Sequence, residues 1–174
     1  LRNWRAERYA ALADHAMRQH GMQVLLVGSP AQAEREMCAA IAAAMAEPAL
    51  NLCGQDTLKQ LTALLSHADL LLAPDTGPAH IASAVGTDVL GLYAASNPLR
   101  SGPYGSLHWC VNRYPEALQQ FTGKSEDEAR WGAKAEFPGA MDLITVADAC
   151  AMLDRWVAAR SDGQAGRPRP GAPD

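Results

Sequence analysis

Six consecutive residues, from Asp75 to His80, gather a carboxylate, a hydroxyl and an imidazole around a glycine and a proline, in the order D-T-G-P-A-H. The apolar run "DLLLAP" leads into them, and "PAHIASAV", a run typical of a short helix, leads out. The first backbone N–H groups of a helix have no partner within the helix and lie at the positive end of its dipole. The stretch therefore predicts a site for a phosphate or carboxylate group.

Each of these residues also has a purely structural interpretation. Thr76 can cap the helix, or it can donate its hydroxyl to a phosphate oxygen. Gly77 can admit a ligand to the backbone or simply ease a tight turn, and Pro78 suits a first helical turn with or without a ligand. His80 can reach the same anion or serve the core. Because the Asp75 carboxylate repels an anion, we expect it to cap the loop, orient His80 or bind sugar hydroxyls.

Strands and helices alternate around this stretch. Strand-length apolar runs are found in "QVLLVG", "ALNLCG", "DLLLAP" and "DVLGLY", the first of them expected to be buried on both faces. Helical runs lie between them, with Gly21 and Gly86 as expected C-caps and Thr57 as an expected N-cap. The alternation predicts an α/β fold with a Rossmann-like, doubly wound parallel sheet. Ligands of such sheets bind beyond the carboxyl ends of the strands.

The pattern changes after Tyr93. "AASNPLRSGPYGSLH" is rich in Gly, Pro, Ser and Asn, and it is expected to be a functional or disordered loop. "TVADACAMLDRWVAAR" returns to helical periodicity. We predict one Rossmann-like domain over residues 1–160 and a disordered tail over residues 161–174, which lacks apolar periodicity.

Composition excludes several classes of function. The net charge is −4 with acidic and basic residues interleaved, which argues against a nucleic-acid partner. No apolar run approaches the roughly 20 residues of a transmembrane helix, so no transmembrane segment is expected. The four cysteines are far apart and have no histidine at metal-ligand spacing, which predicts reduced thiols, no metal site and a cytoplasmic location. The chain opens on Leu1 without a methionine or a leader, as expected of a piece of a longer protein.

Three motifs resemble the signature of glycosyltransferase family 9, the bacterial ADP-heptose:lipopolysaccharide heptosyltransferases. D-T-G-P-x-H is followed by A-x-G-T-x-V-x-G-L-Y and by N-P-x-R-S-G-P-Y-G. The family usually has D-T-G-P-M-H, A-L-G-T-P-V-V-A-L-F-G and T-D-P-x-R-T-G-P-Y-G at these places. Upstream, "RNWRAERYAALAD" is similar to the family's K-x-W-P-x-E-R-F-A-x-L, so the resemblance runs in order from Arg2 to Tyr104.

The resemblance implies that the chain is the C-terminal half of a GT-B fold, the half that binds the nucleotide-sugar donor. Asp75, Thr76, Gly77 and His80 match the motif that contacts the donor's diphosphate and sugar. Arg2 stands where the family usually has Lys, and either cation can neutralise a diphosphate.

Three further residues are candidates for the donor site. Gly28 and Ser29 end a predicted strand on the same expected sheet edge. Glu34 can hold the nucleoside ribose, as acidic residues do in related folds, or it can serve as a favourable charge in the first turn of a helix.

The reaction implied by the resemblance is inverting, metal-independent transfer of a heptose-like sugar, with ADP-heptose as donor and a lipopolysaccharide core as acceptor. It uses no cofactor, since the nucleotide sugar is a substrate. The catalytic base is expected in an N-terminal acceptor domain that has no counterpart in this chain. We therefore expect this fragment to bind donor without transferring sugar, and the full-length protein to be cytoplasmic or peripheral at the inner membrane.

The sequence departs from the family pattern at two places, and two other functions are alternatives. Ala95, Ser96 and Asn97 stand where the family more often has Gly-Pro-Thr-Asp, and Asp88 replaces a common proline. A nucleotide-sugar epimerase or oxidoreductase domain is disfavoured because no G-x-G-x-x-G follows a predicted strand. A non-catalytic nucleotide-binding or interaction module is the other alternative. Residues 113–137, including Trp131, are expected to face the acceptor or to pack against the N-terminal domain.

Overall fold

The computed structural model describes residues 2–161 and 163, in which α-helices alternate with parallel β-strands. These residues form two compact units, one of residues 4–61 and one of residues 2–3 together with those from 62 onward. The tail predicted to be disordered lies outside the described residues except for Ser161 and Gly163.

The unit of residues 4–61 alternates helices and short strands. Its elements are α1 (Ala6–His20), β1 (Leu25–Leu26), α2 (Gln32–Ala44) and β2 (Leu50–Asn51). Gly21 ends α1 in the left-handed conformation at φ 63°, as predicted. β1 pairs in parallel with β2. The expected long strand buried on both faces is wrong, because β1 has two residues and Leu25 is 40% exposed. Within the described chain β1 pairs with β2 alone, so one edge of β1 lacks the neighbouring strand that a central strand would have.

Helix α3 (Leu58–His67) runs across the boundary between the two units. Its N-terminus is a capping box, in which the Thr57 hydroxyl accepts from the Gln60 N–H at 3.3 Å and Gln60 Oε1 accepts from the Thr57 N–H at 2.9 Å. The predicted Thr57 cap is confirmed. In the described part of the chain no helix combines the length and the apolar composition that crossing a membrane requires.

The second unit contains a three-stranded parallel sheet in the order β3–β4–β5. Its elements are β3 (Leu70–Pro74), α4 (Gly77–Val85), β4 (Asp88–Tyr93), α5 (Pro98–Ser101), β5 (Val111–Asn112), α6 (Tyr114–Thr122) and α7 (Val146–Ser161), with 3-10 helices at Tyr104–Trp109 and Ala140–Leu143.

β4 is the central strand of this sheet, and its residues from Val89 to Tyr93 are buried. Helix α4 packs closely because Ala79 and Ala82, both fully buried, present small side chains. Gly86 ends α4 at φ 85°, which confirms the predicted C-cap. The next residue, Thr87, is buried and donates its hydroxyl to the Leu65 carbonyl of α3. These contacts fix where β3 and α4 meet.

The segment after Tyr93 is ordered, so the disordered alternative is wrong. The Asn97 side chain accepts a hydrogen bond from the Leu99 N–H at 2.9 Å and caps α5. The Ala95 carbonyl accepts from the Ala135 N–H at 2.8 Å, and Ser96 is buried. The departures from the family pattern at these positions therefore have structural roles.

Asp88, the other departure, also has a partner in the fold. Its Oδ2 accepts a hydrogen bond from Trp156 Nε1 of α7 at 2.9 Å, which ties α7 to the start of β4. Trp131 lies after α6 and is 77% exposed, so whether it faces an acceptor or another domain stays a prediction.

Candidate functional site

Asp75 is the first residue beyond the carboxyl end of β3, and its residue exposure is only 8%. Its Oδ2 accepts a hydrogen bond from Ser101 Oγ of α5 at 2.8 Å. Its backbone carbonyl accepts from Arg2 Nη1 at 2.9 Å, and the same nitrogen lies 3.7 Å from Oδ2. Of the expected roles, the observed one is structural: Asp75 joins α5 and Arg2 to the loop before α4.

Tyr93, at the carboxyl end of β4, is buried close to this carboxylate. Burial, and then the negative charge of Asp75, raise the pKa of Tyr93 well above its ordinary value of 10.0. The hydroxyl donates to the Ser101 carbonyl at 3.5 Å. Ser101 thus contacts both Asp75 and Tyr93, and the phenol stays neutral at physiological pH.

Thr76 occupies the N-cap position of α4, with an extended backbone at φ −144° and ψ 163°. Its hydroxyl donates to the Pro74 carbonyl at 3.3 Å and makes no capping hydrogen bond. The capping interpretation of this side chain is therefore wrong, because the hydroxyl turns back toward β3. As a result, the Thr76 side chain does not cover the helix N-terminus.

Gly77 begins α4 and is exposed. A Cβ placed on this glycine would meet no heavy atom within 4 Å, and its φ is not among the left-handed values in the chain. Neither packing nor backbone conformation in the described chain requires a glycine here. A first-turn Cβ points toward the helix N-terminus, so its absence leaves open the space where an anion would bind. His80, one turn into the helix, is also exposed.

Arg2 contacts a second carboxylate, that of Glu136. Arg2 Nε and Lys134 Nζ each lie 3.3 Å from Glu136 Oε1. This oxygen is buried, and no hydrogen bond of good geometry satisfies it. Sequence reasoning missed Lys134 and Glu136. No local signal predicted them, because a turn in which the Phe137 N–H donates to the Ala135 carbonyl at 2.8 Å places Glu136 beside Lys134.

Gly28, Ser29 and Glu34 lie together in the unit of residues 4–61. The Ser29 N–H donates to Glu34 Oε2 at 2.6 Å, and Glu34 is in the first turn of α2. A Cβ at Gly28 would lie 2.9 Å from Cys53 Sγ and 3.0 Å from Glu34 Oε2. Packing alone therefore accounts for this glycine, and the Glu34 carboxylate is engaged with its own loop. Their roles toward a donor stay predictions.

All four cysteines are free, as expected of reduced thiols, and Cys38, Cys53 and Cys110 are buried. Burial, together with the neighbouring Cys53 thiol, raises the pKa of Cys38 to about 12. Burial also raises the pKa of Cys110 to about 11, against an opposing hydrogen bond from the Gly91 backbone. The thiols of Cys38 and Cys110 are therefore protonated packing groups at neutral pH.

Comparison with known proteins adds independent information to this geometry. The model of glycosyltransferase family 9 (heptosyltransferase) matches residues 2–131. The lipopolysaccharide core heptosyltransferase OpsX of Haemophilus influenzae is 43% identical to the chain over 145 residues, which are 83% of this chain and 42% of that protein.

Two solved structures share the fold. The ADP-heptose lps heptosyltransferase II of E. coli superimposes with a TM-score of 0.69 at 22% identity, covering 92% of this chain and 43% of that one. A family 9 glycosyltransferase of Veillonella parvula gives 0.67 at 21% identity, covering 88% and 41%. Both have the GT-B fold, so the predicted fold class is confirmed. The chain spans about two fifths of the length of each of these three proteins.

Proposed function

Because the chain belongs to glycosyltransferase family 9, the heptosyltransferase family, we propose that it is the donor-binding part of an enzyme that builds the lipopolysaccharide core. The donor is a nucleotide sugar, ADP-heptose, and the acceptor is a sugar hydroxyl of the growing core. The name of the Haemophilus influenzae relative supports the acceptor, and that of the E. coli structure supports the donor. The acceptor site and the catalytic base lie in the part of the protein that this chain does not span.

The open N-terminus of α4 is the observation that carries this proposal. It combines an exposed glycine with clear space in front of it and a threonine hydroxyl that does not cover the helix end. Arg2 is held beside it by the hydrogen bond to the Asp75 carbonyl. In the first turn of α4 Pro78 has no N–H and the Ala79 N–H donates to the Thr76 carbonyl at 3.1 Å, which leaves the Gly77 N–H to face a ligand. This N–H, the helix dipole and a guanidinium together favour a diphosphate.

The proposed reaction is a metal-independent inverting displacement. The acceptor oxygen forms a bond to the anomeric carbon from the face opposite the leaving group, and the bond from that carbon to the phosphate oxygen breaks. The acceptor proton passes to a general base outside this chain. Negative charge grows on the departing nucleoside diphosphate, where Arg2, His80, the Gly77 N–H and the dipole of α4 stabilise it.

Calorimetric titration of the chain with ADP, UDP, GDP and NAD tests the proposal. We expect ADP to bind in preference to the other three. His80→Ala should weaken ADP binding by roughly tenfold, the worth of one hydrogen bond to a charged group. Thr76→Ala should weaken it less, because the Thr76 hydroxyl gives up its bond to the Pro74 carbonyl if it donates to a phosphate. His67→Ala removes an exposed histidine at the end of α3 and is the matched control. Equal binding of all four nucleotides, or full ADP affinity in both site variants, would contradict the proposal.

A second assay addresses the transfer step. With ADP-heptose and a lipopolysaccharide core acceptor, the chain alone should release no ADP and transfer no heptose, because it supplies no base in our proposal. Measurable heptose transfer by this chain would contradict the proposal that the general base lies outside it.

A further inference from the structure

A buried carboxylate oxygen lies between two cations at the edge of the proposed site. Glu136 Oε1 is 3.3 Å from Arg2 Nε and 3.3 Å from Lys134 Nζ, and no well-oriented hydrogen bond satisfies it. Arg2 is the residue that also binds the Asp75 carbonyl, two positions before α4 begins. The oxygen therefore occupies a small positively charged space next to the helix N-terminus.

The backbone that carries Lys134 and Glu136 is fixed on both sides of Lys134. The Ala133 carbonyl accepts from Tyr114 Oη at 2.8 Å, and the Ala135 N–H donates to the Ala95 carbonyl at 2.8 Å. Ala135 is fully buried just beyond the carboxyl end of β4. The Lys134 and Glu136 side chains nevertheless meet, with Nζ 3.3 Å from Oε1, and Arg2 Nε approaches the same oxygen at 3.3 Å.

A surface ion pair is the plainer interpretation, and the exposures allow a direct comparison. The side chains of Arg2, Lys134 and Glu136 are 42%, 44% and 34% exposed, so both cations are accessible, whereas Glu136 Oε1 itself is covered. A solvated ion pair does not require two cations on one buried oxygen. A phosphate oxygen commonly accepts from several cationic donors at once, and this arrangement offers it the same partners.

We propose that Lys134 is a second cation that joins Arg2 on the diphosphate of the donor, and that Glu136 is the internal anion that holds the two cations in position until the donor replaces it. A diphosphate carries more negative charge than one carboxylate, so it competes successfully for both cations. Lys134 and Glu136 lie beyond residues 2–131, which the family match covers. The inference rests on the proposed function, because it takes the ligand of this site to be a nucleoside diphosphate.

Titration with ADP and with inorganic pyrophosphate, at two salt concentrations, tests this pair of roles. Lys134→Ala should weaken the binding of both ligands by about tenfold and should lower the salt dependence of binding, whereas Lys134→Arg should restore most of the affinity. Glu136→Gln should tighten both, because it removes the competing charge at nearly constant shape. Lys124→Ala is the control, because it also removes one positive charge from residues 113–137. The backbone hydrogen bonds of Ala133 and Ala135 do not depend on the Lys134 side chain, and circular dichroism checks that the variants fold.

The outcomes separate the inference from the proposed function. If Lys134→Ala behaves as Lys124→Ala does while the wild type selects ADP, the inference is overturned and the proposed function stands. If pyrophosphate binding depends on Lys134 but ADP binds no tighter than pyrophosphate, the role of Arg2 and Lys134 in binding phosphate is supported. The proposed nucleotide specificity is then overturned. If neither ligand binds the wild type, both are overturned. Weaker binding by Glu136→Gln would overturn the role of Glu136.

Discussion

Gly77→Ala separates ligand binding from folding. The added Cβ meets no heavy atom of the described chain within 4 Å, and it requires no left-handed backbone. Replacing a glycine by alanine at a compatible helical position stabilises a protein by about 0.4–1 kcal/mol, mainly by restricting the unfolded chain. We therefore expect the free energy of unfolding of Gly77→Ala to equal that of the wild type or to exceed it by up to about 1 kcal/mol.

Ligand binding should respond in the opposite direction. The new methyl group lies at the helix N-terminus, where we place the diphosphate, so it displaces a phosphate oxygen from the Gly77 N–H. Losing one hydrogen bond to a charged group costs about 1.5–3 kcal/mol, or roughly 10- to 150-fold in affinity for ADP. Urea unfolding and calorimetric titration on the same preparation measure both quantities.

Gly105→Ala is the matched control for this experiment. Gly105 is also exposed, has no heavy atom within 4 Å of the position that a Cβ would take, and lacks a positive φ. The substitution should leave both stability and ADP affinity nearly unchanged. If Gly77→Ala folds normally and binds ADP as tightly as the wild type, the N-terminus of α4 is not the phosphate site and the reasoning fails.

Three further predictions concern stability and reactivity. Thr87→Val removes one of two hydrogen bonds to the Leu65 carbonyl of α3, which keeps the Ala68 N–H as a donor at 3.2 Å. The free energy of unfolding in urea should therefore fall by about 0.5–1.5 kcal/mol, with unchanged ADP affinity in the folded protein. Against the effect of partial burial, hydrogen bonds from Thr145 and Arg113 lower the pKa of Asp148 below its ordinary 3.8. Its stabilising contribution should therefore be complete above about pH 5 and should vanish as the pH falls well below 3.8, so the stability difference between wild type and Asp148→Asn should shrink in acid. Because burial raises the pKa of Cys110 to about 11, iodoacetamide should modify this thiol at pH 8 only in denaturant; rapid native labelling, seen by mass spectrometry, would contradict the burial.

Local sequence signals predicted the elements that form the site. "DVLGLY" corresponds to β4 from Asp88 to Tyr93, because an apolar run with a strand on each side needs no alternation. Gly86 and Thr57 were identifiable because a left-handed cap and a capping box depend on residues close in sequence. The carboxyl end of β3 and the start of α4 followed from the same kind of signal.

Tertiary contacts could not be predicted in this way. The Thr76 hydroxyl has two acceptable partners, and only the path of β3 decides that it bonds to the Pro74 carbonyl. The Ser101 hydrogen bond to Asp75 joins residues that no periodicity relates. Lys134 reaches Arg2 through Glu136 because Ala95, far away in sequence, anchors the intervening backbone.

The most direct test of the proposed donor site is a titration of the isotope-labelled chain with ADP, followed through backbone amide resonances. We predict that the largest shifts occur at Gly77 and at the other amides of the first turn of α4, and that they saturate with one ADP per chain. In Gly77→Ala they should require roughly 10- to 150-fold more ADP. Saturable shifts confined to residues away from α4, or no shifts at millimolar ADP, would contradict the claim that this helix N-terminus binds the donor.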